Sequence, residues 1–234
     1  MTCAVCNTEN DRLALTCKQC GGYLQTKVEN LDLFSTAWGI VERPRVTFHA
    51  IAIARHKNYA IVLSAAAGVA LVFFLFWFIK AGEYTDSLLN IIAAGIATGP
   101  FVGICAVLLC SLLLRLFAML VAAPASFWQI YAVTSYALLP VTVSAILFLP
   151  IEFMTFGLYL FMKNPSPYLL KPASYVLLMG LDGLSALWSA LLLLVAWQSL
   201  LRTSWVKTVF ISAACVGGCA AGAYFILARI TPGA

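Results

Sequence analysis

Residues 59–79 read YAIVLSAAAGVALVFFLFWFI, 21 in a row without a charged side chain, with Lys57 before them and Lys80 after. A helix of that length rises about 30 Å, the thickness of the hydrocarbon layer of a bilayer. Four further apolar stretches follow downstream. Leu88 to Leu114 holds 27 uncharged residues and ends at Arg115, and Leu116 to Ile151 holds 36. The latter is long for one crossing and short for two, so the third span is placed from Phe127 to about Leu149, with Pro124 ahead of it. The fourth runs from Tyr175 to Leu201 and contains Asp182; the fifth runs from Thr208 to Ala228. Phe153 to Met162 is apolar but too short to cross alone, and either extends the third helix past Pro150 or lies along the surface. The predicted fold is an all-α polytopic membrane protein with five transmembrane helices and a small N-terminal head. Its predicted domains are the head (1–24), a linker with amphipathic helices (25–57) and the membrane domain (58–230).

Composition says the same. Of 234 residues, 63% are hydrophobic and 10% charged, against roughly 25% charged in soluble domains, and the mean hydropathy is +0.97. Such a chain cannot hide its apolar surface as a water-soluble globule, which excludes an ordinary cytosolic enzyme. Five of the nine acidic residues precede Val46, and only Glu152 and Asp182 follow Asp86. The 14 basic residues are scattered, with no basic stripe, so nucleic acid is not an expected partner. Met1 to Cys6 has neither the basic segment nor the apolar run of a cleavable signal, so the first span is predicted to be an uncleaved anchor.

Cysteines fall in two groups. Cys105, Cys110, Cys215 and Cys219 sit in apolar stretches, where cysteine acts as a small hydrophobe. Cys3, Cys6, Cys17 and Cys20 form a C-x2-C-x10-C-x2-C pattern. Each pair can wrap a tight knuckle, and a hairpin in the ten-residue insert would bring the second knuckle back to the first. Four thiolates around one centre suit a single structural Zn2+ ion; two disulfides or redox-active iron are the alternatives. About twenty residues need such a staple to fold. Four protein ligands leave no open position, so the head is predicted to dock a cytosolic protein rather than to catalyse.

In the linker, Leu31, Phe34, Trp38 and Val41 recur at helical steps, and after Pro44 a second segment carries Phe48, Ile51 and Ala52 ahead of Arg55, His56 and Lys57. These helices either lie in the headgroup layer or pack on the cytosolic ends of the spans. Neither His49 nor His56 has a partner at metal-ligand spacing. With the head inside, the inner borders carry Arg43, Arg45, Arg55, Lys57, Arg115, Arg202 and Lys207, and the outer borders Lys80, Lys163, Lys171 and Arg229. That bias, and thiolates kept reduced, predict a cytosolic N-terminus and an external C-terminus.

Within the spans, Gly95, Gly99 and Gly103 recur every four residues, as do Gly218 and Gly222. Small residues at that spacing let helices approach closely, either within the bundle or against another subunit. Pro100, Pro140 and Pro150 are expected to bend or interrupt helices. Asp182, between Gly180 and Gly183 in the outer third of the fourth span, is either a substrate, ion or proton site or a hydrogen-bonded carboxyl at a helix break. Glu152 and Arg115 are placed at membrane borders and read as snorkelling side chains. There is no Ser/His/Asp set and no phosphate-cradling loop, and the spacing offers no paired carboxylates.

Pro44-Arg45-Val46-Thr47-Phe48, leading through Ile51 and Ala52 to Arg55-His56-Lys57-Asn58-Tyr59, resembles the Yip1-domain family, and Tyr131-Ala132-Val133-Thr134-Ser135-Tyr136-Ala137-Leu138-Leu139-Pro140 is similar to that family's signature in the third span. The resemblance covers about residues 31 to 230. It implies five spans, a cytosolic N-terminus and no catalytic residues; eukaryotic members are implicated in vesicle trafficking and bind small GTPases or one another. A zinc ribbon joined to this domain resembles a prokaryotic arrangement, which implies the cytoplasmic (inner) membrane. The expected function is a non-enzymatic membrane scaffold or accessory subunit, embedded in the bilayer and packed against other membrane subunits. The alternative is a small permease using Asp182.

Overall fold

The computed structural model describes the chain apart from residues 4, 12, 25–30, 55, 58, 121–124, 202, 203 and 231–234, and apart from the side chains of 120, 216 and 219–230. Arg55, Pro124 and Arg202 therefore lie outside the described residues. All longer elements are helical.

Helix α1 (Leu33–Glu42) starts where the Asp32 carboxylate accepts the Ser35 amide at 2.8 Å, satisfying one of the donors a helix start leaves open. Pro44 then opens α2 (Pro44–Ile53), where its missing N–H and fixed φ suit the first turn. Phe48, Ile51 and Ala52 of α2 are buried, as are Thr36 and Ile40 of α1. Leu31 precedes the Asp32 cap and is buried, whereas Phe34, Trp38 and Val41 are 84%, 70% and 53% exposed. The expected four-residue face is thus split: Leu31 lies outside the helix and the other three point away from this packing. Lys57 ends the segment, its ammonium donating to the carbonyls of Ile51, Ala52 and Ala54 at 2.6, 2.6 and 2.9 Å.

Among the described residues, four helical stretches are long and apolar enough to cross a membrane: Ala60–Phe78, Leu88–Met119, Phe127–Phe161 and Pro172–Leu201. The first is α3 (Ala60–Phe78) and the second lies in α4 (Leu88–Leu120). Helix α4 does not stop at Arg115; the guanidinium donates to the Ala125 carbonyl, so the charge is satisfied beside the helix and the turn continues. The third stretch is broken. Helix α5 (Phe127–Ala137) opens with a reciprocal cap between Ser126 and Gln129, and α6 (Leu139–Phe156) follows after Leu138. Pro140 has no N–H to continue the ladder, so the break falls there and not at Pro150 or Pro100, both of which sit inside continuous helices. Residues 153–156 extend α6, and a 3₁₀ turn, Gly157–Phe161, closes it. After the short α7 (Pro167–Leu170), α8 (Pro172–Leu201) is the fourth of these stretches. Helix α9 (Trp205–Ile230) follows, with its described apolar part limited to Trp205–Cys215.

The chain divides into two compact units. The first contains residues 1–60, 108–134 and 194–234; its core includes the buried Tyr131 and Trp197, whose indole N–H donates to the Thr134 hydroxyl at 2.9 Å. The second contains 61–107 and 135–193. Its core gathers Phe73, Ile91, Phe156, Leu160, Phe161 and Leu178, with the Phe73 and Phe153 rings edge-on at 5.3 Å.

Candidate metal centre and intramembrane carboxyl pair

The two cysteine pairs are built by the same local geometry, repeated 14 residues apart. Thr2 bridges Glu9, and Thr16 bridges Tyr23. The Cys3 amide donates to Thr8 O and the Cys17 amide to Gly22 O; the Asn7 amide returns to Cys3 O and the Gly21 amide to Cys17 O. Asn7 and Gly21 both have positive φ, 54° and 70°, a turn that glycine makes freely and asparagine tolerates. The hairpins therefore lie in the knuckles themselves, and the insert between them contains a turn at Asp11, whose carboxylate accepts the Leu13 amide.

The four Sγ atoms lie within 4.8 Å of one another. Cys3 and Cys20 are 3.6 Å apart and Cys6 and Cys17 are 3.5 Å apart, far beyond the roughly 2.05 Å of a disulfide; all four are free thiols. Backbone amides of Val5 and Gln19 point at the sulfurs of Cys3 and Cys17. Amide hydrogen bonds from Cys20 and Gln19 pull the Cys17 thiol down to about 6, toward the thiolate a metal needs, while at Cys20 the Gly22 amide is outweighed by the neighbouring Cys6 and Cys3, which push the thiol up to about 12. This set can hold a metal ion. Asn10, buried between the knuckles, was not legible from the cysteine spacing: its amide donates to Thr8 O at 2.7 Å and to Cys17 Sγ at 3.3 Å, while its carbonyl oxygen accepts the Lys18 amide at 2.9 Å. The 14-residue repeat does not point to it either, since the matching position is Leu24.

Glycines line a close approach between α3 and α4. A β-carbon on Gly103 would stand 2.2 Å from Ser64 O, one on Gly99 2.6 Å from Val69 Cα, and one on Gly95 2.4 Å from the Phe73 ring. Gly68 supplies the facing gap on α3, with Gly99 O at 2.2 Å. Gly218 meets only Leu113 Cδ1, at 3.9 Å, and the surroundings of Gly222 lie outside the described residues. His49 is half-buried and His56 exposed.

Asp182 is half-buried on α8 and accepts a hydrogen bond from the Ser144 hydroxyl of α6. Glu152, also on α6, corrects one expectation: it does not snorkel, being 2% exposed, and its Oε1 has no hydrogen-bond partner among the described residues. Sequence spacing hides the Ser144–Asp182 bond because the two residues are 38 positions apart and meet only when α6 and α8 pack. Gly180 and Gly183, beside Asp182, have open space where a β-carbon would stand.

An all-helical chain with several bilayer-length helices and a four-cysteine knob at its front is an integral membrane protein with a candidate metal centre. The Yip1 domain model matches residues 38–228, so the chain belongs to the Yip1 domain family. No curated protein and no solved structure matches it. Of the stretch Tyr131 to Pro140, residues 131–137 are buried and 138–140 half-buried, which fits a packing role.

Proposed function

We propose that this protein is a non-enzymatic membrane scaffold or accessory subunit whose N-terminal knob, a structural zinc ribbon, docks a cytosolic protein, and whose helices pack against other membrane subunits. The observation that carries the reading is the closed sulfur set. Four sulfurs about 2.3 Å from one zinc ion stand about 3.8 Å apart, close to the 3.5 and 3.6 Å edges seen here. Such a centre has no free coordination position for substrate, so its use is to hold a recognition surface. The exposed Phe34, Trp38 and Val41 support seating α1 in the headgroup layer, where an aromatic face is at home. We place five crossings, with the knob in the cytoplasm of a prokaryotic cell and the C-terminus outside.

Purification of the full chain in mild detergent should give stoichiometric partners, and their loss on Cys3→Ser/Cys17→Ser substitution would assign docking to the knob. Recovery of a lone monomer under conditions that preserve other membrane complexes would refute the scaffold reading. A permease reading draws support from the intramembrane position of Asp182; it requires solute flux in proteoliposomes that changes in Asp182→Asn.

A further inference from the structure

The first unit carries an uncovered apolar face and an excess of positive charge on neighbouring residues. Phe34, Trp38 and Val41 recur at steps of four and three, so they share one side of α1, opposite the buried Thr36 and Ile40. Just beyond Val41 come Arg43 and Arg45, both exposed, and then the exposed Val46. Helix α9 fixes the far end of this surface. The Arg45 guanidinium lies over the Trp205 ring, 5.6 Å from its centroid, and Trp205, Val206 and Lys207 are all exposed.

Two connections set the depth of that surface. Trp205 follows the end of α8, a helix of bilayer length, by four residues, which is at most about 14 Å of chain. Helix α2 ends at Ile53, and α3, also of bilayer length, begins at Ala60, a connection of at most about 25 Å. The Arg45–Trp205 contact therefore stands at the border of the membrane-crossing helices, where an indole ring is at home.

Charge then decides what faces it. After residue 30 this unit contains two acidic residues, Asp32 and Glu42. Asp32 caps the start of α1, where its carboxylate accepts the Ser35 amide. Among the cations, Lys57 and Arg115 are engaged by backbone carbonyls. Arg43, Arg45 and Lys207 are not. All three are exposed, and among the described residues none has a carboxylate partner. A surface that is aromatic, net positive and held at headgroup depth is complementary to anionic phospholipid.

We propose that the outward face of α1, together with Arg43, Arg45 and Lys207, is a docking surface for anionic phospholipid headgroups. The two guanidiniums and the ammonium take the phosphates, while Phe34, Trp38 and Val41 enter the boundary with the acyl chains. This rests on the seating of α1 in the headgroup layer proposed above and adds the charge of the lipid; it does not depend on what the knob docks.

The test uses the full chain with a fluorescent amino acid at position 41, in nanodiscs of equal parts phosphatidylcholine and phosphatidylglycerol, one or the other lipid being brominated. Seating of α1 gives quenching by both. An anionic site makes brominated phosphatidylglycerol the stronger quencher, by roughly twofold. That excess should disappear near 1 M salt, where the screening length falls to about 3 Å. It should also be lost in Arg43→Gln/Arg45→Gln/Lys207→Gln, with quenching by both lipids retained. Equal quenching in the unsubstituted protein overturns the anionic site and leaves the seating of α1 intact. An excess that survives the three substitutions overturns the assignment to these cations. No quenching by either lipid overturns both readings, and means that a second copy or another protein covers the face.

Discussion

At the residue scale, two polar side chains do work that no motif announces. Asn10 ties both knuckles together through three hydrogen bonds. Groups that orient metal ligands without touching the metal commonly change affinity by about 10–100-fold when removed. Asn10→Ala is therefore expected to keep one zinc per chain and to weaken it by about tenfold, read by competition with a chromophoric chelator; Cys17→Ser should abolish stoichiometric metal. Lys57 is the second. Burial pulls its ammonium from the usual 10.5 down to about 8. Between those values the unfolded chain binds a proton that the folded chain does not, so unfolding free energy rises with pH across that window and falls back as pH drops to about 8. The melting temperature should rise from pH 8 to pH 10 by more in the unsubstituted protein than in Lys57→Met; equal slopes would disprove it. The four cysteines were legible because metal chemistry imposes their spacing, while Asn10 and Lys57 act on backbone atoms whose positions exist only after folding.

Elements differ in how much of them periodicity exposes. The apolar runs gave the spans, and their ends moved for local reasons: α4 passes Arg115 because the Ala125 carbonyl takes the charge, and α5 breaks from α6 because Pro140 lacks a donor. The four-residue glycine spacing on α4 showed a smooth face but not its partner. That partner is α3, and the approach is close enough for Gly68 to face Gly99 and Gly103. Gly103→Ala sets a methyl 2.2 Å from Ser64 O, a backbone atom. A change of that kind forces the helices apart and is expected to cost about 1–3 kcal/mol, seen as a clear drop in thermal stability in detergent. Gly183→Ala meets nothing within 4 Å and should be neutral, or stabilise by about 0.5–1 kcal/mol through helix propensity. A loss of equal size in both would disconnect the spacing from packing. On α1, Phe34→Ser with Trp38→Ser should lower quenching of this segment by brominated lipids, measured with a probe at position 41, if the exposed face sits among headgroups.

For the whole molecule, composition alone forces a membrane: an uncharged run of 21 residues and a chain 63% hydrophobic leave no soluble arrangement. Among the described residues four helices have sufficient length and apolarity to cross, and the proposed fifth crossing is a testable placement. Reporters fused at the two ends should report opposite faces of the membrane; the same face would leave an even number of crossings. The linear order of residues determined the helices, the cysteine knob and the family, because each rests on local periodicity or short spacing. Only tertiary structure decided that Glu152 is buried and Asp182 meets Ser144, that the glycines of α4 close on α3, and that α1 turns Phe34 and Trp38 outward. Those outcomes depend on which helix faces meet, and hydrophobicity that is nearly uniform around a membrane helix carries little information about its neighbours.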